Sequence, residues 1–148
     1  MSLAEDTTLV MRRTLKAPAP RVFRAWTDPA MLRRWFMAGE DYTCTIAEAD
    51  PRVGGRFRLA MRDADGEEHC VTGTYRIVEP DRRLVFTWAW VSTPERESLV
   101  TIDLMPNGDA TEMTLTHERF ADKATRDRHG EGWDACIDMF VRLVEDED

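Results

Sequence analysis

Trp133-Asp134-Ala135-Cys136-Ile137-Asp138-Met139-Phe140-Val141-Arg142-Leu143-Val144 is the stretch whose reading decides the fold. Trp133, Cys136, Ile137, Phe140 and Val144 recur at steps of three and four, which is the stripe of an amphipathic helix. Asp122 is the expected N-cap, so the helix runs from there to about residue 144 and is about 30 Å long. Before it the periodicity is different. Phe57, Leu59 and Met61 alternate with Arg56, Arg58 and Arg62, the period-two pattern of a half-buried strand. Leu84, Phe86, Trp88 and Trp90 alternate with Val85, Thr87, Ala89 and Val91 in the same way. So do Val100, Ile102 and Leu104, and then Met113, Leu115 and His117.

Turn signals separate these runs. Asp65-Gly66 and Asn107-Gly108 are hairpin pairs, and Glu79-Pro80-Asp81 turns the chain between two strands. Gly54-Gly55 suits a positive φ or a bulge that a side chain would oppose. Residues 7–15, 42–48 and 69–78 read as further strands, the last with Val71, Tyr75 and Ile77 in phase. Ala17-Pro18-Ala19-Pro20 starts a helix whose apolar face is Val22, Phe23 and Trp26. Asp28-Pro29 caps and starts another, carrying Met31, Leu32 and Trp35. Strands joined by tight turns pair antiparallel, and their apolar face must be covered. The long helix has the only stripe large enough. The expected class is α+β: a curved antiparallel sheet around a long C-terminal helix, with two short helices after the first strand.

The chain has 148 residues, 43% of them hydrophobic. This fits one domain over 1–148 that folds without disulfides or metal, with frayed ends at about 1–6 and 145–148. No apolar run approaches a membrane span. The segment Met1 to Arg13 lacks a basic head followed by an apolar block, so a cytoplasmic location is expected. A net charge of −8 argues against binding to a phosphate backbone. Cys44, Cys70 and Cys136 have no metal-binding spacing and read as small hydrophobes in a reducing compartment.

The order and spacing of several motifs match a known family. They are Ala17-Pro18-x-x-x-Val22-Phe23-x-Ala25-Trp26-Thr27-Asp28-Pro29, Leu32-x-x-Trp35-Phe36, Gly54-Gly55-x-Phe57, Asp65-Gly66 and Gly73-x-Tyr75. Pro80-x-x-Arg83-Leu84-Val85-Phe86-Thr87, Thr111-x-Met113-x-Leu115-x-His117 and His129-x-x-Gly132-Trp133 complete the set. From about residue 8 to 144 the chain resembles the SRPBCC (START/Bet v 1-like) superfamily. Within it, the chain is similar to stand-alone bacterial homologues of the C-terminal domain of the activator of Hsp90 ATPase. The resemblance implies a helix-grip fold with a cavity between the C-terminal helix and the sheet. Members bind lipids, hormones or polyketides, and a few catalyse cyclisation. The eukaryotic activator has a separate N-terminal domain that remodels the chaperone. This chain has no room for it, so chaperone stimulation does not follow from the resemblance, and an Hsp90 co-chaperone-like role is kept only as a form of the protein–protein reading.

The leading expectation is a pocket for a small apolar or amphipathic molecule, with no cofactor and no metal. Its lining is expected from Trp35, Phe57, Leu59, Met61, Tyr75, Trp88, Trp90, Val100, Ile102, His117, Trp133, Ile137 and Phe140. Phe86 and Phe140 also read as plain core, and Trp35 and Phe36 as neighbours of a mouth. The alternative is an enzyme of cyclase or hydrolase type using His117, Tyr75 or Glu48 as acid–base groups. Glu48 is in phase with Ile46 and is expected to point inward, and the reading requires at least two of the three groups within hydrogen-bond reach of one cavity. The plainer reading of His117 and His69 is a hydrogen-bonded structural histidine. Asp41 and Glu40 are placed near the mouth, and Arg56, Arg58 and Arg62 on a solvated outer face. Gly130 and Gly132 within a helix mean either a close pass over the sheet or space left for a guest. A third reading, a protein–protein module, predicts a contiguous exposed apolar patch. A free sheet edge would also suit a homodimer.

Overall fold

The computed structural model describes residues 6–146. Strand β1 (Leu9–Leu15) is followed by helices α1 (Ala19–Thr27) and α2 (Pro29–Trp35). Strands β2 (Thr43–Ala49), β3 (Arg56–Arg62), β4 (Glu68–Glu79), β5 (Arg83–Trp90), β6 (Ser98–Asn107) and β7 (Ala110–Glu118) come next. The last element is helix α3 (Lys123–Asp146). The strands form one antiparallel seven-stranded sheet in the order β1-β7-β6-β5-β4-β3-β2. Its inner face packs on α3, and α1 and α2 close one end of the core.

Local chemistry sets these boundaries. Asp28 ends α1 and caps α2, its carboxylate accepting from the Ala30 N–H at 2.9 Å. Asp122 does the same for α3, accepting from the Thr125 N–H at 2.8 Å. Those bonds hold its carboxyl below the usual range. Gly54 has φ +85, and a Cβ on Gly55 would lie 2.0 Å from the Asp50 carbonyl oxygen. Both glycines are therefore required by the turn that leads into β3.

Two bulges correct the simple alternation. In β4 the register against β5 shifts between Tyr75 and Ile77. The extra residue rotates the following strand by one position. Ile77 is consequently exposed, out of phase with Val71 and Tyr75, and Val78 packs against the core in its place. In β2 the shift lies between Cys44 and Ile46. Cys44 and Ala47 face the core, while Glu48 pairs with Arg58 on the exposed face. The expectation that Glu48 points inward fails for this reason.

Helix α3 extends to Asp146, beyond the expected end at about 144. The Glu145 carboxylate accepts from the Lys16 N–H at 2.9 Å and ties the last turn to the end of β1. The parts of the expected frayed ends at 1–5 and 147–148 lie outside the described residues. No helix among the described residues is long and apolar enough to cross a membrane. The exposed large hydrophobics among them are Val10, Val53, Ile77, Val91 and Met105, on separate segments. In the sheet Val10 pairs with Thr116, Ile77 with Val85 and Met105 with Glu112, so none of the three pairs with another.

Candidate functional site

Between α3 and the β3–β5 end of the sheet lies a cavity of about 220 Å³. The sheet contributes Met61, His69, Trp88 and Trp90. Helix α3 contributes Arg128, His129, Gly132, Trp133 and Cys136. The loop after α2 contributes Phe36, Ala38 and Tyr42. A Cβ placed on Gly132 would meet nothing within 4 Å, so the absent side chain is part of the open space. Gly130, two residues earlier on the helix, has the other explanation: its Cβ would sit 3.4 Å from Leu9 of β1.

A second, smaller space of about 20 Å³ adjoins it. Trp35, Phe57, Leu59 and Tyr75 border it, together with Trp26, Leu32 and Phe86. Phe36, Trp88 and Trp133 border both spaces. Trp35 is thus an inner residue rather than a mouth residue, its indole N–H donating to the Ala25 carbonyl at 2.7 Å. Phe36, expected near the mouth, is buried and borders both spaces.

The expected lining is therefore divided. Met61, Trp88, Trp90 and Trp133 border the outer cavity, and Trp35, Phe57, Leu59 and Tyr75 the inner void. Val100, Ile102, His117, Ile137 and Phe140 border neither and are packed core. Phe140 meets Trp35 edge-on at 4.9 Å and Trp26 at 5.2 Å, which uses its ring in packing.

His117 is fully buried and both ring nitrogens are engaged. Nδ1 accepts from the Trp133 indole N–H at 3.0 Å, so the ring proton is on Nε2, which donates to Ser98 Oγ at 2.7 Å. Ser98 in turn donates to the Trp88 carbonyl. Burial, and then the neighbouring His129, hold this imidazole well below its ordinary pKa. His129 repeats the arrangement in reverse. Its Nε2 accepts from the Trp90 indole N–H at 2.9 Å, and Nδ1–H donates to the Thr125 carbonyl. Burial lowers its pKa too. A helix tryptophan thus bonds a strand histidine, and a strand tryptophan bonds a helix histidine, clasping α3 across the sheet.

The acid–base set does not assemble. His117 has no free nitrogen, Glu48 faces outward and Tyr75 stands on the inner void. Burial pushes the Tyr75 phenol further above its ordinary pKa, so it is a neutral donor at physiological pH. His69 is half-buried at the mouth and bonds Asp63 at 3.0 Å. Asp63, Glu67 and His69 bring one ligand atom each within 4.8 Å of one another. Asp63 is already used by the hairpin, accepting from the N–H groups of Asp65 and Glu67. Glu40 is exposed and pairs with Arg142 of α3 at 2.9 Å, Asp41 is exposed, and neither borders the cavity. Arg56, Arg58 and Arg62 lie on the exposed face as expected.

Residues 16–145 match the activator of Hsp90 ATPase homolog 1-like proteins. The chain belongs to this family. A solved protein from Chromobacterium violaceum is 29% identical, with 96% of this chain and 99% of that one covered and a TM-score of 0.87. An uncharacterized protein from Rhizobium leguminosarum is 30% identical, with 95% of each chain covered and a TM-score of 0.77. The AHSA1 protein from Silicibacter pomeroyi, at 24% identity, shares the fold over 92% of this chain and 96% of that one, with a TM-score of 0.82. No curated protein matches the chain. The sheet, the long C-terminal helix and the apolar space between them are those of the helix-grip fold, which has the capacity to hold a hydrophobic ligand.

Membership of the family leaves the lining to be read from the chain itself. Ala38, Tyr42, Arg128, His129 and Cys136 were not among the residues expected to line a pocket. For His129 a signal existed: His129, Gly132 and Trp133 stand at helical steps of three and one, and all three border the cavity. Ala38 and Tyr42 carry no such periodicity, because they sit in a loop.

Proposed function

We propose that the protein binds a small apolar or amphipathic molecule in the cavity between α3 and the β3–β5 end of the sheet. One observation carries this reading: about 220 Å³ of space is held open by aromatic walls over a glycine whose Cβ would touch nothing. A core residue normally fills its surroundings to crystal-like density. An apolar guest lying against those aromatic walls gains dispersion contacts with them. Phe36, Trp88, Trp90 and Trp133 supply the apolar surface. Burial of a guest there contributes roughly 25 cal/mol per Å² before association costs are subtracted.

The test is a thermal-shift and tryptophan-fluorescence screen with small aromatic hydrocarbons, aromatic ketones and medium-chain fatty acids. A binding class raises the melting temperature and changes the emission of the cavity tryptophans. At a hundredfold excess over Kd the stabilisation is about 2.7 kcal/mol. Gly132→Leu, which puts a side chain into the open space, abolishes both signals. A screen in which no class moves either signal rejects the proposal.

A further inference from the structure

The five tryptophans provide an internal comparison. Trp26 Nε1 donates to Met113 Sδ, Trp35 to the Ala25 carbonyl, Trp90 to His129 and Trp133 to His117. Trp88 Nε1 alone has no partner, and it is the only buried side-chain nitrogen or oxygen among the described residues left so. The residue is 4% exposed, so solvent does not satisfy it. A buried donor without an acceptor costs about 1–3 kcal/mol. The fold satisfies every other such group, so this one calls for an acceptor from outside the chain.

The surroundings define that acceptor. Trp88 stands between the 220 Å³ cavity and the 20 Å³ void. The void is too small for a ring, but it has room for one oxygen-sized group. The indoles of Trp26, Trp35 and Trp133 on its lining are committed elsewhere. Tyr75 is the other residue on that lining with a polar side chain, and its phenol is neutral. A water needs two to four polar partners of mixed kind to be held well. An acceptor-only oxygen needs a donor and nothing more, and the Trp88 indole N–H is a free one. We propose that the ligand is a small apolar molecule bearing one neutral carbonyl oxygen, and that Trp88 Nε1–H is the donor that recognises it. A carboxylate is a poorer match, because its charge would be desolvated among aromatic rings.

The inference rests on the binding reading above, and the test separates the two. The probes are propiophenone and its methylene isostere, in which C=CH2 replaces C=O. Binding is followed by calorimetry and by the assigned indole N–H signals in nitrogen-15 NMR spectra of the full chain. The ketone is expected to bind about tenfold more tightly than the isostere, the value of one good hydrogen bond. Its binding moves the Trp88 indole proton downfield. Trp88→Phe retains binding of the isostere and removes the tenfold preference. Should that variant not fold, the wild-type pair of ligands and the Trp88 signal decide the matter alone. Equal affinities with an unmoved Trp88 proton overturn the carbonyl inference, assign the donor to an internal water, and leave the cavity reading standing. If neither probe binds and no cavity resonance moves, the carbonyl inference falls, and the wider ligand screen decides the cavity reading.

Discussion

Gly132 and Gly73 are glycines for opposite reasons, and substitution separates them. A Cβ at Gly73 would lie 1.9 Å from the Thr87 carbonyl oxygen and 2.3 Å from the Phe57 ring. The backbone oxygen of a central strand has nowhere to move. Gly73→Ala is expected to cost about 3 kcal/mol by urea denaturation, at the upper end for overpacking. Gly132→Leu occupies open space in a helix interior, where glycine is about 1 kcal/mol worse than alanine. That variant is expected to be at least as stable as the wild type while losing the guest. The cysteines divide on similar grounds. Burial pushes the Cys136 thiol up to about 12, and raises Cys44. Cys70 is half-buried, and Arg58 Nε donates to its sulfur at 3.4 Å. With a thiol reagent at neutral pH, Cys70 reacts first and Cys136 only on unfolding. Rapid loss of the Cys136 thiol in the native protein would contradict its burial.

Helix α3 is held by two kinds of contact. Its stripe of Ile137, Phe140 and Val144 is fully buried, and Phe140→Ala is expected to cost about 3–5 kcal/mol. Its N-terminal half is held by the two tryptophan–histidine bonds. These have a sign with pH, because an imidazolium has no acceptor nitrogen. Both histidines have folded pKa values lowered from the ordinary 6.5, by burial first. The unfolded chain therefore binds more protons below pH 6.5, and stability present above that value is lost as the pH falls from it toward the lowered values. The slope is at most about 1.4 kcal/mol per pH unit for each imidazole. Urea denaturation between pH 7.5 and 5.5 should show this decline, and His117→Phe should make it shallower. An unchanged midpoint across that range would mean that the clasp does not depend on neutral rings.

At the scale of the whole molecule, the sheet and its three helices share one core. Trp26, Trp35 and Phe140 form a mutual edge-on and tilted set that joins α1, α2 and α3 in one core. Ending the chain at Met139 removes Phe140 from that set and Leu143 and Val144 from the core around it. The expected outcome is loss of cooperative thermal unfolding, read by near-ultraviolet circular dichroism. Strands β1 and β2 are the two edges of the sheet. Any self-association through strand pairing has to use one of them.

Much of this was legible in the chain. Phe57-x-Leu59-x-Met61, the β5 run and the α3 stripe each carry their own period, because half-buried elements repeat their apolar side at 2.0 or 3.6 residues. The hairpin glycines and Asp28-Pro29 fixed where elements turn, since those backbone conformations are set by few residue types. The two bulges were not legible. They depend on how one strand meets its neighbour, and a single added residue moved Ile77 outward and Glu48 away from the core. The lining of the cavity was half legible. Periodicity states which side chains face inward, but packed interior and cavity wall share one face. His117, Ile137 and Phe140 face the same way as Trp133 and Trp88. Only the distances between elements, set by tertiary packing, decide which of them meet a partner and which meet open space.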